Sequence, residues 1–384
     1  MKQKKHLHKN QSILYIITKL ELGGAQKVCL SLLKDLQKHA STTFLLSGPD
    51  GPLVKSVKNL PNVTLLSSFT QEAKLSKLWL EVKNFFAVIK HIRTLKKQYP
   101  NLIVHTHSTK AGLIGRWAAF FAGVKKRVHT VHGYGFHDHQ NIIPWTSLYL
   151  LELTTSFITT HFVCVSNKDR KTGIKLFPKF AQKSSIIRAA VDWKQFYTPA
   201  RIAPVFPEQK PFIFGTVSCF KPQKNLFDLL YAFELVYKKN KNARLELVGD
   251  GNLRQALTAW IQKHALANVI TLHGWKEQVA PTMMTWNAFV LSSLWEGLPC
   301  ALVEARLLKL PIISYNTGGI SDIITHGKNG YIFAQKDWLS LANGMLKLTT
   351  QKNIYTQLQQ SPENLTAFNP AVMAKQHHDM YKAL

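Results

Sequence analysis

The sequence predicts an α/β chain of two doubly wound domains facing a cleft. Short apolar runs recur along it, each followed by a turn and then by a segment with helical spacing, which is the signature of alternating strands and helices. That alternation breaks once, at residues 197–211, YTPARIAPVFPEQKP, which hold four prolines and no periodicity, and then restarts. The 384 residues, 46% of them apolar, suit two domains of ordinary size with full cores. The expected division is 1–196, a linker at 197–211, 212–369, and a tail at 370–384 that packs back on the first domain.

In chain order, residues 12–18 (SILYIIT) are apolar and read as a buried strand, and 26–39 read as an amphipathic helix. Between them lies Leu20-Glu21-Leu22-Gly23-Gly24-Ala25. A strand, a Gly-Gly turn and a helix start expose backbone N–H groups suited to a phosphate, though a plain tight turn explains the pair equally well. Residues 43–47 and 63–66 read as further strands. Residues 74–97 carry Leu78, Val82, Phe85, Phe86, Ile89, Ile92 and Leu95 at helical spacing, with seven Lys and Arg between them. Such a helix either covers a sheet or lies on an anionic membrane.

The strand at 102–106 runs into His105-Thr106-His107, and the strand at 127–130 runs into His132-Gly133. Strand C-termini line the ligand crevice of such sheets. His105, His107 and His137 read as structural or solvated. A metal is not expected, because the carboxylate or thiolate partners are missing. Strands at 161–166 and 186–190 complete the first domain.

The second domain opens on a strand at 212–217, followed by the basic loop Ser218-Cys219-Phe220-Lys221-Pro222-Gln223-Lys224-Asn225 and a helix, an arrangement that favours an anion. Strands follow at 245–248, 269–272, 288–293 and 311–314. The densest stretch is 288–310. There an apolar strand meets Trp295-Glu296-Gly297-Leu298, Pro299 is placed as the first helical residue, and Glu304 lies inside the helix. A helix start at a strand end attracts phosphate, and a carboxylate within it can hold vicinal hydroxyls.

EGLPCALVE resembles the Glu-x7-Glu element of the retaining family-4 glycosyltransferases, which have the GT-B fold of two Rossmann-like domains. The resemblance continues through PIISYNTGGISDIITHGKNGYIF and, with the Gly-Gly loop, covers most of residues 12–335. It implies that Glu296 contacts the donor sugar and Glu304 the nucleotide ribose. Lys224 would sit on the diphosphate, Gly297 and Leu298 at the helix entry beside it, and Gly23 and Gly24 toward donor phosphate and acceptor. His132 matches the active-site histidine. The family's usual Arg stands where this chain has Cys219, and Lys221 offers a replacement charge without the bidentate fork. The His-Lys-Gly and His-Gly strand ends resemble members that assemble lipopolysaccharide or capsule.

Composition adds a partner. The formal net charge is +28, and residues 1–196 hold 30 Lys and Arg against 9 Asp and Glu. Such an excess favours anionic membrane or nucleic acid, but no nucleic-acid motif is present. Four scattered cysteines read as reduced cytosolic thiols. The apolar stretch 142–165 is broken by Pro144, Glu152 and His161 and does not read as a membrane span. The expectation is therefore a cytoplasmic enzyme, peripheral at the inner face of the cell membrane. It would move a sugar with retention from a nucleotide-sugar, uridine being the expected base, to a lipid-linked or polysaccharide hydroxyl. No metal or other cofactor is expected. A sugar-nucleotide epimerase of the same fold and a basic nucleic-acid-binding protein remain as alternatives.

Overall fold

The structure is a computed structural model that describes residues 11–36, 42–67, 69, 78–197, 206–208 and 210–384. The basic positions Lys74 and Lys77 and most of the linker expected at 197–211 lie outside the described residues. The chain forms two compact units, one of 1–191 with 367–384 and one of 192–366.

The first unit is built on a seven-stranded sheet in the order β3-β2-β1-β4-β5-β6-β7. Its strands are β1 (Ser12–Ile16), β2 (Thr42–Ser47), β3 (Val63–Leu65), β4 (Ile103–His107), β5 (Lys126–Val131), β6 (His161–Cys164) and β7 (Ser184–Ile186). All pairings are parallel. Parallel neighbours require crossovers, and helices supply them: α1 (Gly24–Asp35), α2 (Leu78–Gln98), α3 (Thr109–Phe121), α4 (Ile142–Ile158) and α5 (Asn167–Leu176). Buried on both faces, β1 and β4 read as unbroken apolar or uncharged runs rather than as alternation.

The second unit repeats the plan with six parallel strands in the order β10-β9-β8-β11-β12-β13. They are β8 (Phe212–Val217), β9 (Ala243–Val248), β10 (Ile270–Gly274), β11 (Ala288–Leu291), β12 (Ile312–Tyr315) and β13 (Gly330–Phe333). Its helices are α6 (Trp193–Phe196), α7 (Leu226–Lys239), α8 (Arg254–Lys263), α9 (Ala280–Met283), α10 (Cys300–Leu307), α11 (Trp338–Thr350) and α12 (Lys352–Gln360). The chain then returns to the first unit as α13 (Pro370–Ala383), where the Asn369 side chain caps the helix start and Ala190 N–H meets the Met373 sulfur.

In each sheet the strand order reverses beside the first strand, between β1 and β4 and between β8 and β11. A ligand crevice opens at such switch points, outside the strands' carboxyl ends. The residues expected at the site fall at or next to these two places.

The apolar stripe expected on α2 divides. Ile89, Ile92 and Leu95 are buried, whereas Val82 and Phe86 are exposed beside Trp79. The helix buries Asn84 and Val88 instead, and this turns Val82 and Phe86 outward. Pro299 also differs from expectation. Its extended ψ of 101° makes it the N-cap, and the helix starts at Cys300.

Candidate functional site

In the second unit the loops leaving β8 and β11 are tied together. The Leu294 N–H donates to the Gln223 carbonyl (2.9 Å), and Gln223 Nε2 donates to the Trp295 carbonyl (2.6 Å). Ser292 Oγ donates to the Lys224 carbonyl at 2.9 Å. Lys224 Nζ forms an ion pair with Glu296 Oε1, with the two side chains only 17% and 8% exposed. The sequence alone had placed these two charges separately, one on a diphosphate and one on a sugar. The fold makes them partners.

The turn after β12 holds the same loop from its other side. Thr317 Oγ1 donates to the Leu294 carbonyl (3.0 Å), and the Gly319 N–H donates to the Gly297 carbonyl (2.6 Å). Gly318 has φ +53°, and a Cβ there would lie 2.1 Å from the Glu296 carbonyl oxygen. Only glycine lets the two backbones approach this closely. Gly297 and Leu298 are buried and lead into α10, and Glu304 is buried in its second turn. No side chain caps the start of α10, so its first N–H groups keep their affinity for an anion.

The β8 loop has its own brace. The Phe220 N–H donates to the Asp250 carbonyl at 2.8 Å. Gly249 has φ +130°, and a Cβ there would sit 1.9 Å from the Ser218 carbonyl oxygen. Lys224 ends a short turn, Pro222–Lys224, and Asn225 in the left-handed region then starts α7. Lys221 is exposed and Cys219 half-buried, so the structure brings Lys224, not Lys221, against Glu296. Sequence reasoning missed the hydroxyls of Ser218 and Ser293, just past the ends of β8 and β11. Both are buried, and neither oxygen has a hydrogen-bond partner among the described residues. A serine has no distinctive spacing, so only its position at the switch point marks it.

In the first unit Gly23 is the N-cap of α1, in extended conformation with φ −85°. A Cβ there would meet only the end of the Gln26 side chain. Gly23 is therefore not required by backbone strain. With Gly24 as the first helical residue, it leaves the helix start without a capping side chain or an acid. Thr18 Oγ1 and Ser108 Oγ, 3.2 Å apart, join the loops that leave β1 and β4.

His132 follows β5, and its Nε2 lies 2.9 Å from Nδ1 of His107. His107 stacks on His105, with centroids 4.5 Å apart. His105 pairs through Nε2 with Thr130 Oγ1 (2.7 Å) and through Nδ1 with the Tyr381 hydroxyl. Burial, and then the neighbouring imidazoles, hold His105 and His107 well below the usual histidine range. Burial and then His377 push His132 down to about 3. These rings are neutral at physiological pH. Among the described residues, no three or more His, Cys, Asp or Glu are grouped to hold a metal ion.

HepE of Anabaena, crystallised with UDP and glucose, superposes with a TM-score of 0.80 over 98% of this chain and 100% of that one, at 18% identity. Two doubly wound parallel sheets, one in each unit, are those of the GT-B fold. The family described as Glycosyltransferase Family 4 matches residues 22–195, and that described as Glycosyl transferases group 1 matches 200–364. The chain belongs to this family and is a retaining glycosyltransferase. It is 29% identical over 357 residues to the UDP-Gal:alpha-D-GlcNAc-diphosphoundecaprenol alpha-1,3-galactosyltransferase of Escherichia coli, covering 91% of this chain and 90% of that protein. It is 22% identical to the capsular polysaccharide biosynthesis glycosyltransferase CapM of Staphylococcus aureus, covering 70% and 72%.

Proposed function

We propose that this enzyme transfers a hexosyl or N-acetylhexosaminyl group from a UDP-sugar to a hydroxyl of a lipid-linked glycan, at the inner face of the cell membrane. The observation that carries the reading is the Lys224–Glu296 pair at the β8/β11 switch point, with the carboxylate of Glu304 buried one helix entry further on. Lys224, the uncapped start of α10 and the Ser218 and Ser293 hydroxyls stabilise the leaving diphosphate as its charge develops. In this reading no metal ion is needed. Glu296 holds donor-sugar hydroxyls, Glu304 holds the ribose, and His132 positions a sugar hydroxyl. Gly23 and Gly24 offer N–H groups to an anionic part of donor or acceptor. UDP and glucose in the Anabaena structure support the donor, and the name of the Escherichia coli relative supports the acceptor class.

Glu304→Ala is expected to weaken UDP binding about tenfold or more, the loss of one charge-assisted hydrogen bond of ~1.5–3 kcal/mol. Glu296→Ala is expected mainly to lower kcat. Titration calorimetry with UDP and steady-state kinetics check both, and near-normal transfer by both variants would overturn the assignment. Thermal shifts with UDP-, GDP- and ADP-sugars test the base. Cys219→Arg is expected to fold and to bind UDP at least as tightly, because the half-buried site adjoins the diphosphate loop. A large loss of affinity in that titration would mean that Cys219 is shaped for another contact.

The membrane reading rests on the outer surface of the first unit. Trp79, Val82 and Phe86 on α2 are 50–67% exposed, and Lys83, Lys90 and Lys97 continue the helix surface. Next to them Phe121 on α3 meets Phe85 edge-on at 6.1 Å and is itself 53% exposed. On α4 the side chains of Ile142, Ile143, Leu150 and Phe157 are 51–76% exposed. The Trp117–Thr155 hydrogen bond ties α3 to α4. Clustered exposed apolar groups on a surface of net positive charge suit an anionic bilayer. Of the three consecutive basic residues Lys125, Lys126 and Arg127, Arg127 is committed to the fold. Its Nε donates to the Ile158 carbonyl (2.5 Å), and its guanidinium covers Phe120. Among the described residues no helix is long and apolar enough to cross a membrane.

Vesicle co-sedimentation is expected to show binding to anionic lipid that weakens with salt. Each basic residue contributes ~1 kcal/mol, so neutralising Lys83, Lys90 and Lys97 should reduce affinity about a hundredfold. Equal, weak binding to neutral and anionic vesicles would remove this part of the reading.

A further inference from the structure

The start of α7 in the second unit is built unusually. An N-cap residue is ordinarily extended, with its side-chain oxygen accepting from the first N–H groups of the helix. Asn225 is instead left-handed, with φ 45° and ψ 47°, and its side chain does not cap the helix. That region suits glycine and is unfavourable for a residue with a Cβ, for asparagine less than for most. Ala265 and Lys309 are left-handed too, but they follow the ends of α8 and α10, where the conformation is common. Asn225 needs a different account.

A chain of contacts leads from it back to the core. Asn225 Nδ2 donates to Asp228 Oδ2 at 2.6 Å, and the same oxygen accepts from the Tyr315 hydroxyl at 2.7 Å. Tyr315 ends β12, is 0% exposed and belongs to the apolar core with Leu229 and Leu230 of α7. Burial, and then the Asp228 carboxylate, raise its hydroxyl above the usual tyrosine range, so it remains a donor. Asn225 and Asp228 are only half-buried, so the anchor of the chain is the tyrosine. At the other end, the residue before Asn225 is Lys224. Its carbonyl accepts from Ser292 Oγ, and its ammonium pairs with the Glu296 carboxylate. An Asn225 that reverted to the extended form of an ordinary N-cap would swing the chain entering α7, and Lys224 with it.

We propose that Tyr315 is a positioning residue for the transfer reaction. Through the Asp228 carboxylate it holds Asn225 left-handed, and so keeps Lys224 against Glu296 at the β8/β11 switch point. The proposal deepens the proposed function and rests on its reading of Lys224 as a contact of the leaving diphosphate. All five residues lie in the second unit, so the link can be measured without substrate.

The test compares Tyr315→Phe with the double variant Tyr315→Phe/Asn225→Gly in the full-length enzyme. Losing the hydroxyl frees Asp228, and Asn225 is then expected to leave the left-handed region. The expected result is a kcat about tenfold lower with the KM for UDP-sugar changed by less than about threefold, because a displaced cation is missed most where charge develops. Glycine adopts the left-handed region without a clamp, so the double variant is expected to recover to within about threefold of wild type. A merely structural tyrosine would give a lowered melting temperature and no recovery. An unaltered kcat in Tyr315→Phe overturns the proposal, and so does a loss that glycine does not repair. Should Tyr315→Phe fail to fold, Asp228→Ala breaks the same link from the helix side and is held to the same two outcomes. A second readout needs no turnover. In enzyme with nitrogen-labelled lysines, the Lys224 ammonium resonance, assigned by Lys224→Arg, is expected to broaden in Tyr315→Phe and to sharpen again in the double variant. A resonance unchanged by Tyr315→Phe overturns the link. Near-wild-type turnover by Lys224→Ala would instead remove the reading of Lys224 and leave the link to the ammonium result.

Discussion

Replacing Lys224 with alanine is expected to lower kcat/KM for sugar transfer by about 10²–10³-fold, equivalent to about 3–4 kcal/mol of transition-state stabilisation. Two losses coincide in this variant. The leaving diphosphate loses a cation placed at the switch point, and the Glu296 carboxylate, 8% exposed, loses its ion-pair partner. A buried carboxylate without a partner turns toward another donor or takes up a proton, and either change spoils its hold on a sugar hydroxyl. The effects of Lys224→Ala and Glu296→Ala should therefore not add. The double variant is expected to lose little more than Lys224→Ala alone, because each single change already disables the pair. Steady-state kinetics on the three variants measures this, with melting curves to confirm folding. A loss below threefold for Lys224→Ala, or strict additivity, would show that the pair serves only to brace the loops.

Mild acid is expected to unfold the first unit. Its His105, His107, His129, His132 and His377 are all held below the ordinary histidine value, chiefly by burial, which pushes His132 down to about 3 and His377 down to about 4. A group whose folded pKa is depressed lends stability that is fully present above its unfolded pKa of ~6.5 and is lost as pH falls toward the folded value. The unfolded chain takes up protons in this window and the folded chain does not. Each such ring removes about 1.4 kcal/mol per pH unit below ~6.5. Five rings at pH 5.5 would together offset much of a typical stability of about 5–15 kcal/mol. Urea melts at pH 7.5, 6.5 and 5.5 should show a steep loss confined to the transition of the first unit. A midpoint independent of pH across that range would mean that the cluster is open to protons in the folded state.

Much of this protein could be read from its residues because the signals are local. A parallel strand buried on both faces must be a short apolar run, and SILYII and AFVL are such runs whatever surrounds them. The Gly-Gly turn, the prolines at 199, 204, 207 and 211 and the Glu-x7-Glu spacing are equally local, and they led to the fold, the family and the main candidate residues. The local pattern left the outcome open where a neighbour outside the window decided it. Val82 and Phe86 share helical spacing with Ile89 and Ile92, yet the rotation of α2 on its sheet exposes the first two. Arg127 follows Lys125 and Lys126 in one basic run, yet the Ile158 carbonyl and the Phe120 ring hold its guanidinium.

The sequence by itself determined which residue types stand at the strand ends, because a doubly wound sheet places whatever follows a strand at its ligand-binding edge. Only the tertiary structure decided which of those residues meet. Lys224 and Glu296 are separated by 72 positions and become an ion pair because β8 and β11 are neighbours in the sheet. His105 and Tyr381 are 276 positions apart and meet because α13 returns to the first unit. The physical reason is the same in both cases. Backbone pairing and burial of apolar faces fix the strand order and the return of the helix. Polar partners are then brought together by a topology that no local pattern of charge encodes.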